Sequence, residues 1–173
     1  MHLIETATLT LEPQTLAHAD EMFVVLSDPA IYEYENEPPP SRAWLRARFA
    51  RLESRQSADG QECWLNWVIR LPSAELAGYV QATVRPHGHA TIAYELSSRY
   101  WGRGLARQAV QAMIGELVEH YQVDRLSAVL KRENLRSLCL LERLGFSPAT
   151  LGQLIAHPVE RGELLMYCEI RRI

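Results

Sequence analysis

The sequence predicts a mixed α/β fold in which helices pack on one mixed sheet. Apolar residues recur at helical spacing in several segments and alternate at strand spacing in others. In the middle of the chain, strand candidates follow one another with only short, breaker-rich linkers between them, which indicates an antiparallel meander. After the meander, helical and strand patterns alternate, so the sheet is expected to be mixed.

The N-terminal part predicts a strand and two helices. Residues 2–11 alternate loosely and precede Pro13, as expected for a first strand. Thr15 can cap the first helix, which residues 28–29 end, and Ser41 can cap the second, whose arginines we interpret as a solvated face. The inward face of the first helix is predicted to be Leu16, Ala19, Phe23 and Leu26. That of the second is predicted to be Trp44, Leu45, Phe49 and Leu52.

The rest of the chain supplies the meander and the elements after it. Asn134 can cap a short helix, and Gly145 stands where a left-handed residue ends one. The predicted elements are strands over 64–70, 76–85 and 90–96, a helix over 105–121, a strand over 125–130, a helix over 135–144 and a strand over 164–170. The order β-α-α-β-β-β-α-β-α-β-β, with one closing strand left unplaced, fits a single domain of residues 1–173.

Composition disfavours several classes of protein. A net charge of −3 without a long basic run disfavours nucleic acid and anionic membranes as partners. No apolar stretch is long enough to span a bilayer, and residues 1–20 do not resemble a secretory signal. Cys63, Cys139 and Cys168 are widely spaced and are interpreted as buried free thiols of a reducing compartment. We therefore expect a cytoplasmic protein, either a monomer or a homodimer.

A glycine-bearing loop precedes the helix predicted over 105–121. Gly102 and Gly104 leave room for a tight backbone bend and for close approach of a ligand, and the helix offers unpaired N–H groups and a positive dipole end. The loop is therefore a candidate anion site, although a G-x-G pair alone also fits simple turn chemistry. A dinucleotide-binding loop would need a third glycine where Arg107 stands, and the Gly-Lys-Ser/Thr of a Walker loop is absent.

The segment 90–147 resembles the GNAT N-acetyltransferases. The R-x-x-G-x-G pattern from Arg99 to Gly104 is similar to the loop that binds the pyrophosphate of acetyl-CoA in that family. Asn134 and Ser137, ahead of a helix ending in Gly-Phe, resemble its second cofactor motif, and the strand ending Tyr-Glu-Leu96 resembles the one beside the pantetheine arm. These motifs are most similar to those of the Rim-type ribosomal-protein N-terminal acetyltransferases. The resemblance implies the GNAT fold and direct acetyl transfer from acetyl-CoA to an amine, without a metal.

The resemblance also implies a set of cofactor-binding residues. Backbone N–H groups of the loop would hold the pyrophosphate, and the Leu96 N–H would donate to the developing oxyanion. Asn134 serves both as a helix cap and as a pantetheine contact, whereas the loop arginines either add charge or stay in solvent. The implied cofactor-binding set is Leu96, Arg99, Trp101, Gly102, Arg103, Gly104, Leu105, Ala106, Arg107, Asn134 and Ser137.

Glu95 and Ser137 are the predicted catalytic residues. A free amine is largely protonated near neutral pH, so a base is needed, and Glu95 lies just before the cofactor loop. The alternative for Glu95 is an exposed strand carboxylate. Leu141 stands where many members of the family have a tyrosine acid, so Ser137 is the predicted hydrogen-bond donor to the departing thiolate. A helical serine that bonds to its own backbone is the alternative for Ser137.

The acceptor stays open at this point. The loop over residues 32–37, rich in glutamate and tyrosine, suits a cationic amine, whether a polypeptide N-terminus or a small polyamine-like or aminoglycoside-like molecule. The same composition also fits an acidic loop that is simply exposed to solvent. His87 and His89 are interpreted as a surface turn without metal-ligand spacing. A non-catalytic acyl-CoA-binding module and an ATP-binding protein are the alternative functions.

Overall fold

A computed structural model describes residues 1–34 and 37–170 and contains one mixed sheet of eight strands. The strands are β1 (Ile4–Glu5), β2 (Thr10–Pro13), β3 (Cys63–Arg70), β4 (Leu76–Arg85), β5 (His89–Leu96), β6 (Arg125–Lys131), β7 (Ser147–Pro148) and β8 (Glu163–Glu169). The helices are α1 (Ala19–Val25), α2 (Arg42–Leu52), α3 (Leu105–Tyr121), α4 (Leu135–Arg143) and α5 (Leu151–Ala156). Across the sheet the order is β1-β2-β3-β4-β5-β6-β8-β7, which confirms the predicted fold class.

The predicted element order was wrong at both ends of the chain. The first strand is a hairpin, because residues 6–9 turn and pair Ile4 of β1 with Leu11 of β2. The Thr6 hydroxyl donates to the Leu9 carbonyl oxygen at 2.8 Å and closes this turn. The short helix α5 was not predicted, although Thr150 and Gln153 form its capping box. The unplaced closing strand is β7, a pair of residues beside β8.

Strands β5 and β6 diverge, and this opens the sheet at its centre. They pair in parallel only from His89 to Thr91, whereas β5 continues to Leu96 and β6 follows β8 along its whole length. The Ser97 N–H donates to the carbonyl oxygen of Ala77 in the adjacent strand β4 at 2.9 Å. Because the hydrogen-bonding direction alternates along an antiparallel strand, the peptide groups of Leu96 and Tyr94 face the gap.

Helix α3 has the predicted bounds, and α4 has the predicted cap. Helix α3 begins after Gly104 and buries an apolar stripe that includes Val110, Met113 and Leu117 against the sheet. The Asn134 side chain accepts a hydrogen bond from the Ser137 N–H at 3.1 Å and caps α4, and the left-handed Gly145 follows the helix as predicted.

Helices α1 and α2 pack together on the face of the sheet that carries Val68 and Leu76. Ser41 caps α2 as predicted, because its hydroxyl accepts from the Trp44 N–H at 3.1 Å. The predicted inward faces are only partly correct. Leu16 and Trp44 are 43% and 45% exposed, and the buried residues that join the two helices are Ala19, Met22, Leu26, Leu45 and Phe49.

The cysteine interpretation was wrong about burial. Cys63 and Cys139 are exposed and Cys168 is half-buried, and each is a free thiol. In the residues that the structure describes, no helix combines the length and the apolar character needed to cross a membrane.

His89 does not lie in a surface turn as predicted. It is the first residue of β5 and is only 8% exposed, whereas His87 occupies the turn. The His89 Nε2 lies 2.9 Å from the Ser127 Oγ, and its ring stacks on Tyr167 with the centroids 5.7 Å apart. Burial places this imidazole in the sheet rather than in solvent.

We expect acidification to lower stability through His89. Burial, followed by the nearby charges of His157 and Arg85, lowers its pKa to about 4 from the ordinary 6.5. As the pH falls through this window, the unfolded chain takes up a proton that the folded state resists. The free energy of unfolding should therefore fall by about 2 kcal/mol more in the protein than in a His89→Gln variant. Urea unfolding at about pH 7 and pH 4.5 measures this difference, and equal losses would contradict it.

Candidate active site

Two adjoining cavities lie where β5 leaves β6. The large cavity has a volume of about 480 Å³ and lies between the N-terminal helices and the sheet. The small cavity has a volume of about 100 Å³ and lies between the end of β5, the glycine loop and α4. The residues that line both are Ile31, Tyr34, Tyr94, Glu95, Asn134 and Ser137. The two predicted catalytic residues, Glu95 and Ser137, are thus brought together where the cavities join.

The loop from Trp101 to Gly104 ends in an open helix N-terminus. Gly102 and Gly104 have φ values of +75° and +76°, and a Cβ at either position would meet nothing within 4 Å. The backbone conformation, not lack of space, therefore requires glycine. Within the described part of the chain, no group accepts a hydrogen bond from the N–H groups of residues 102–107. These donors and the positive end of α3 form a cradle suited to an anion such as pyrophosphate.

The predicted cofactor arginines do not share one location. The guanidinium groups of Arg99 and Arg103 both lie against the Tyr100 ring, and Arg99 also pairs with Glu75 at 3.6 Å. Arg107 is exposed on the first turn of α3. A cation that the sequence reasoning missed, Arg136 of α4, lies 3.6 Å from the centroid of the Trp101 ring and lines the small cavity. It stands inside the second cofactor motif, but no pattern in the sequence pairs it with a tryptophan of the loop.

The end of β5 is held closely from two sides. The Trp101 Nε1–H donates to the Leu96 carbonyl oxygen at 2.9 Å, which ties the loop to the strand. On the other side, Gly78 of β4 leaves no room for a side chain, because a Cβ there would lie 2.0 Å from the Glu95 carbonyl oxygen. The Leu96 N–H thus faces the gap from a fixed backbone. This is the position expected for an oxyanion donor.

Glu95 is half-buried and lies directly opposite Tyr79 in the β4–β5 register. The Tyr79 hydroxyl hydrogen-bonds to the Glu95 side chain. Burial first, and then the negative charge of Glu95, raise the pKa of Tyr79 well above its usual value. Tyr79 therefore stays a neutral hydrogen-bond donor that orients the carboxylate. The alternative interpretation, in which Glu95 is an exposed carboxylate on a strand, does not fit this half-buried and hydrogen-bonded side chain.

Ser137 has a hydrogen-bond partner that the sequence reasoning did not foresee. The Tyr94 hydroxyl donates to the Ser137 Oγ at 3.1 Å. Burial raises the pKa of Tyr94 to about 12, so the phenol is neutral near pH 7. Leu141, in the position of the tyrosine found in many GNAT enzymes, is buried and lines the large cavity. A tyrosine hydroxyl thus reaches the site from β5 instead of α4.

Asp28 connects the loop after α1 to the residues ahead of the glycine loop. Its Oδ2 accepts from the Ser98 N–H at 2.7 Å and from the Ser97 hydroxyl at 3.2 Å. Burial works against ionisation, but the hydrogen bonds from Ser98, Ala30 and Ser97 outweigh it and lower the pKa of Asp28. The ionised carboxylate thus ties the start of the loop after α1 to the segment ahead of the glycine loop.

The predicted acceptor loop only partly lines the large cavity. Tyr32, Tyr34 and Glu37 line it, Glu33 is exposed, and Glu35 and Asn36 lie outside the described residues. The Tyr32 hydroxyl donates to the Leu26 carbonyl oxygen at 2.7 Å, which holds this ring in place. Polar residues that the sequence reasoning did not assign to a site also line the cavity, namely Gln14, Arg48, Asn66 and Gln81.

Outside both cavities, three potential metal ligands lie close together. Ligand atoms of His2, Glu116 and His120 are within 4.8 Å of one another, and the His2 Nδ1 lies 2.9 Å from the Glu116 Oε1. None of these residues lines either cavity. The absence of a metal from the reaction stays a prediction.

Comparison with known proteins agrees with this geometry. The acetyltransferase (GNAT) domain model matches residues 8–147. The uncharacterized N-acetyltransferase p20 of Bacillus licheniformis is 28% identical over 148 residues, which are 84% of this chain and 83% of that protein.

Solved structures share the fold at low sequence identity. RimL, a ribosomal L7/L12 alpha-N-protein acetyltransferase in complex with coenzyme A, has a TM-score of 0.80 at 18% identity, covering 98% of each chain. Spermidine N-acetyltransferase from Vibrio cholerae, in complex with CoA and spermine, has a TM-score of 0.76 at 18% identity, covering 95% of this chain and 96% of that one. With the domain match, the splayed sheet and the loop cradle in agreement, the chain belongs to the GNAT acetyltransferase family.

Proposed function

We propose that the protein transfers the acetyl group of acetyl-CoA directly to a primary amine. The observation that carries this proposal is the placement of Glu95 and Ser137 where the two cavities join. The small cavity adjoins the loop cradle and suits the thioester end of the cofactor. The large cavity suits the acceptor.

The cofactor would be held mainly by backbone. N–H groups of residues 102–107 would bind the pyrophosphate, and the peptide groups of Tyr94 that face the gap would pair with the pantetheine amides, which leaves the Leu96 N–H for the thioester carbonyl oxygen. Arg136, stacked on Trp101, would add positive charge beside the small cavity. Arg99 and Arg103 would contribute less to cofactor binding, since both already lie against the Tyr100 ring.

Each of three residues near the junction of the two cavities has one role in the proposed reaction. Glu95 accepts the proton of the acceptor ammonium, directly or through a water, so that the amine nitrogen can attack the thioester carbonyl carbon. The Leu96 N–H stabilises the negative charge that develops on the carbonyl oxygen. The carbon–sulfur bond then breaks while the Ser137 hydroxyl donates a hydrogen bond to the departing thiolate, and the extra proton that the attacking nitrogen loses neutralises that thiolate. The products are the N-acetylated amine and coenzyme A.

Tyr94 orients Ser137 in this scheme. By donating to the Ser137 Oγ, the phenol leaves the serine proton free to point at the thiolate. We expect Ser137→Ala to lower kcat by about 10- to 100-fold, the range for a hydrogen bond to a charged group, and Tyr94→Phe to lower it by about fivefold. The double variant should match Ser137→Ala alone, because both act through one hydroxyl.

Steady-state kinetics of the variants measure these effects. Tyr100→Phe is the matched control, because its hydroxyl contacts Glu75 outside both cavities, and its kcat should stay unchanged. Losses that multiply in the double variant would contradict the coupling of Tyr94 to Ser137.

A product assay tests the proposed function. The purified protein is incubated with acetyl-CoA and a panel of amines and N-terminal peptides, and acetylated products are detected by mass spectrometry. Loss of thioester is followed chromatographically, because the exposed Cys63 and Cys139 would react with a thiol reagent. Binding of acetyl-CoA without transfer to any amine would favour the alternative, an acyl-CoA-binding module without catalysis.

A further inference from the structure

Three carboxamide side chains form a row along the sheet wall of the large cavity. Asn66 of β3 lies directly opposite Gln81 of β4 in the strand register. Gln14 follows β2, and its N–H donates to the Asn66 carbonyl oxygen at 2.9 Å. Gln14, Asn66 and Gln81 all line the cavity. Strand register therefore gathers residues that are far apart in the sequence into one polar row, which we call the amide row.

The amide row lies at a defined distance from Glu95. Tyr79 and Gln81 are two residues apart on β4, so they share a face of the sheet. Tyr79 is the register partner of Glu95, and a strand rises about 3.3 Å per residue. The amide row is thus about 7 Å along the strand from the carboxylate that faces the acceptor amine.

Gln14 has an unpaired donor in this row. It is only 6% exposed, and its Nε2 is the one buried side-chain nitrogen or oxygen without a hydrogen-bond partner among the described residues. Burying such a donor without a partner is unfavourable, and an oxygen atom of a ligand would pair with it. Asn66 is equally buried at 6% exposure and lines the same cavity.

Arg48 adds a positive charge to the same cavity. It projects from α2, lines the cavity and acts electrostatically on Tyr79, where it favours the ionised phenol. A polyamine offers only cationic donors, so it would leave the Gln14 donor unpaired and meet Arg48 unfavourably. An oxygen acceptor on the ligand satisfies both groups.

We propose that the acceptor is an amine that also carries a carbonyl or carboxylate oxygen, as an amino acid or a peptide N-terminus does, and that Gln14 and Asn66 bind this oxygen. The inference rests on the proposed acetyl transfer. A separation of about 7 Å is the length of about two residues of extended peptide, so the carbonyl of a second residue fits the amide row. A free amino acid would instead direct its carboxylate toward Arg48.

The test compares acceptor amines that carry a carbonyl or carboxylate oxygen with acceptor amines that lack one. A dipeptide amide, a free amino acid, a linear alkylamine of matched length and spermidine are assayed with the protein and with Gln14→Leu. The variant keeps the side-chain size but removes the amide. We expect kcat/KM for the dipeptide amide to fall about 10- to 100-fold, mainly through KM, and that for the alkylamine to stay unchanged. Gln61→Leu, at an exposed position outside the cavities, is the control.

Folding does not obscure this test. Gln14→Leu removes an unpaired buried polar group, so its melting temperature should equal or exceed that of the parent protein, and its affinity for acetyl-CoA should be the same. If the oxygen comes from the carboxylate of an amino acid, Arg48→Leu should lower kcat/KM only for acceptors with a free carboxylate.

The outcomes separate the inference from the proposed function. Selective loss of the dipeptide amide or the amino acid in the Gln14 variant supports the inference. Efficient turnover of spermidine, with no acceptor affected by Gln14→Leu, overturns it and leaves acetyl transfer intact. Absence of transfer to every amine, with acetyl-CoA bound, overturns the proposed function and this inference with it.

Discussion

Replacing Glu95 with glutamine is expected to lower kcat/KM for the amine acceptor by about 100- to 10,000-fold, the usual range for a general base. The amide keeps the size and the hydrogen-bonding capacity that Tyr79 requires, but it cannot take the proton of the ammonium. Affinity for acetyl-CoA should be unchanged, because the cradle is made by residues 102–107. Steady-state kinetics at pH 7 together with calorimetry separate the two effects.

The pH profile strengthens this prediction. An α-amino acceptor has a pKa near 8, so its neutral fraction rises with pH and the need for a base declines. The deficit of Glu95→Gln should therefore shrink toward pH 9. Glu5→Gln, at an exposed strand carboxylate outside both cavities, is the control and should stay within about threefold of the parent protein. A Glu95→Gln variant with the activity of the parent protein at pH 7 would remove Glu95 from the mechanism.

Replacing Gly104 with valine is expected to weaken acetyl-CoA binding by about 10- to 100-fold. The residue has a φ of +76°, a conformation that costs a β-branched side chain about 1–3 kcal/mol. The loop would relax away from it and turn the N–H groups of the cradle out of line. A calorimetric titration of the variant with acetyl-CoA measures the loss.

Gly60→Val provides a matched control for strain alone. Gly60 has a φ of +69° and, like Gly104, open space around its Cβ position, but it lies outside both cavities. Its valine variant should lose a similar amount of stability and keep the affinity for acetyl-CoA. If Gly104→Val bound acetyl-CoA as tightly as the parent protein does, the loop backbone would not hold the cofactor.

Much of the fold could be predicted because its determinants are local. The caps at Gly104 and Asn134 and the left-handed Gly145 determine the bounds of α3 and α4 within the sequence itself. The predictions failed where the burial of a residue does not follow the periodic pattern of the sequence. Leu16 and Trp44 follow helical spacing but face outward, and His89 follows a turn but begins a buried strand.

The candidate site was predictable only where its residues form a motif. The loop, Glu95 and Ser137 lie in short patterns that preserve their spacing, and the structure brings Glu95 and Ser137 together. The amide row was not predictable, because register across β2, β3 and β4 joins positions 14, 66 and 81. The contact between Tyr94 and Ser137 likewise crosses from β5 to α4.

A calorimetric competition tests whether acetyl-CoA binds at the glycine loop. The protein is titrated with acetyl-CoA alone and in the presence of excess coenzyme A or ATP. One acetyl-CoA per chain, displaced by coenzyme A but not by ATP, is the predicted result. No binding, or equal displacement by ATP, would contradict the claim.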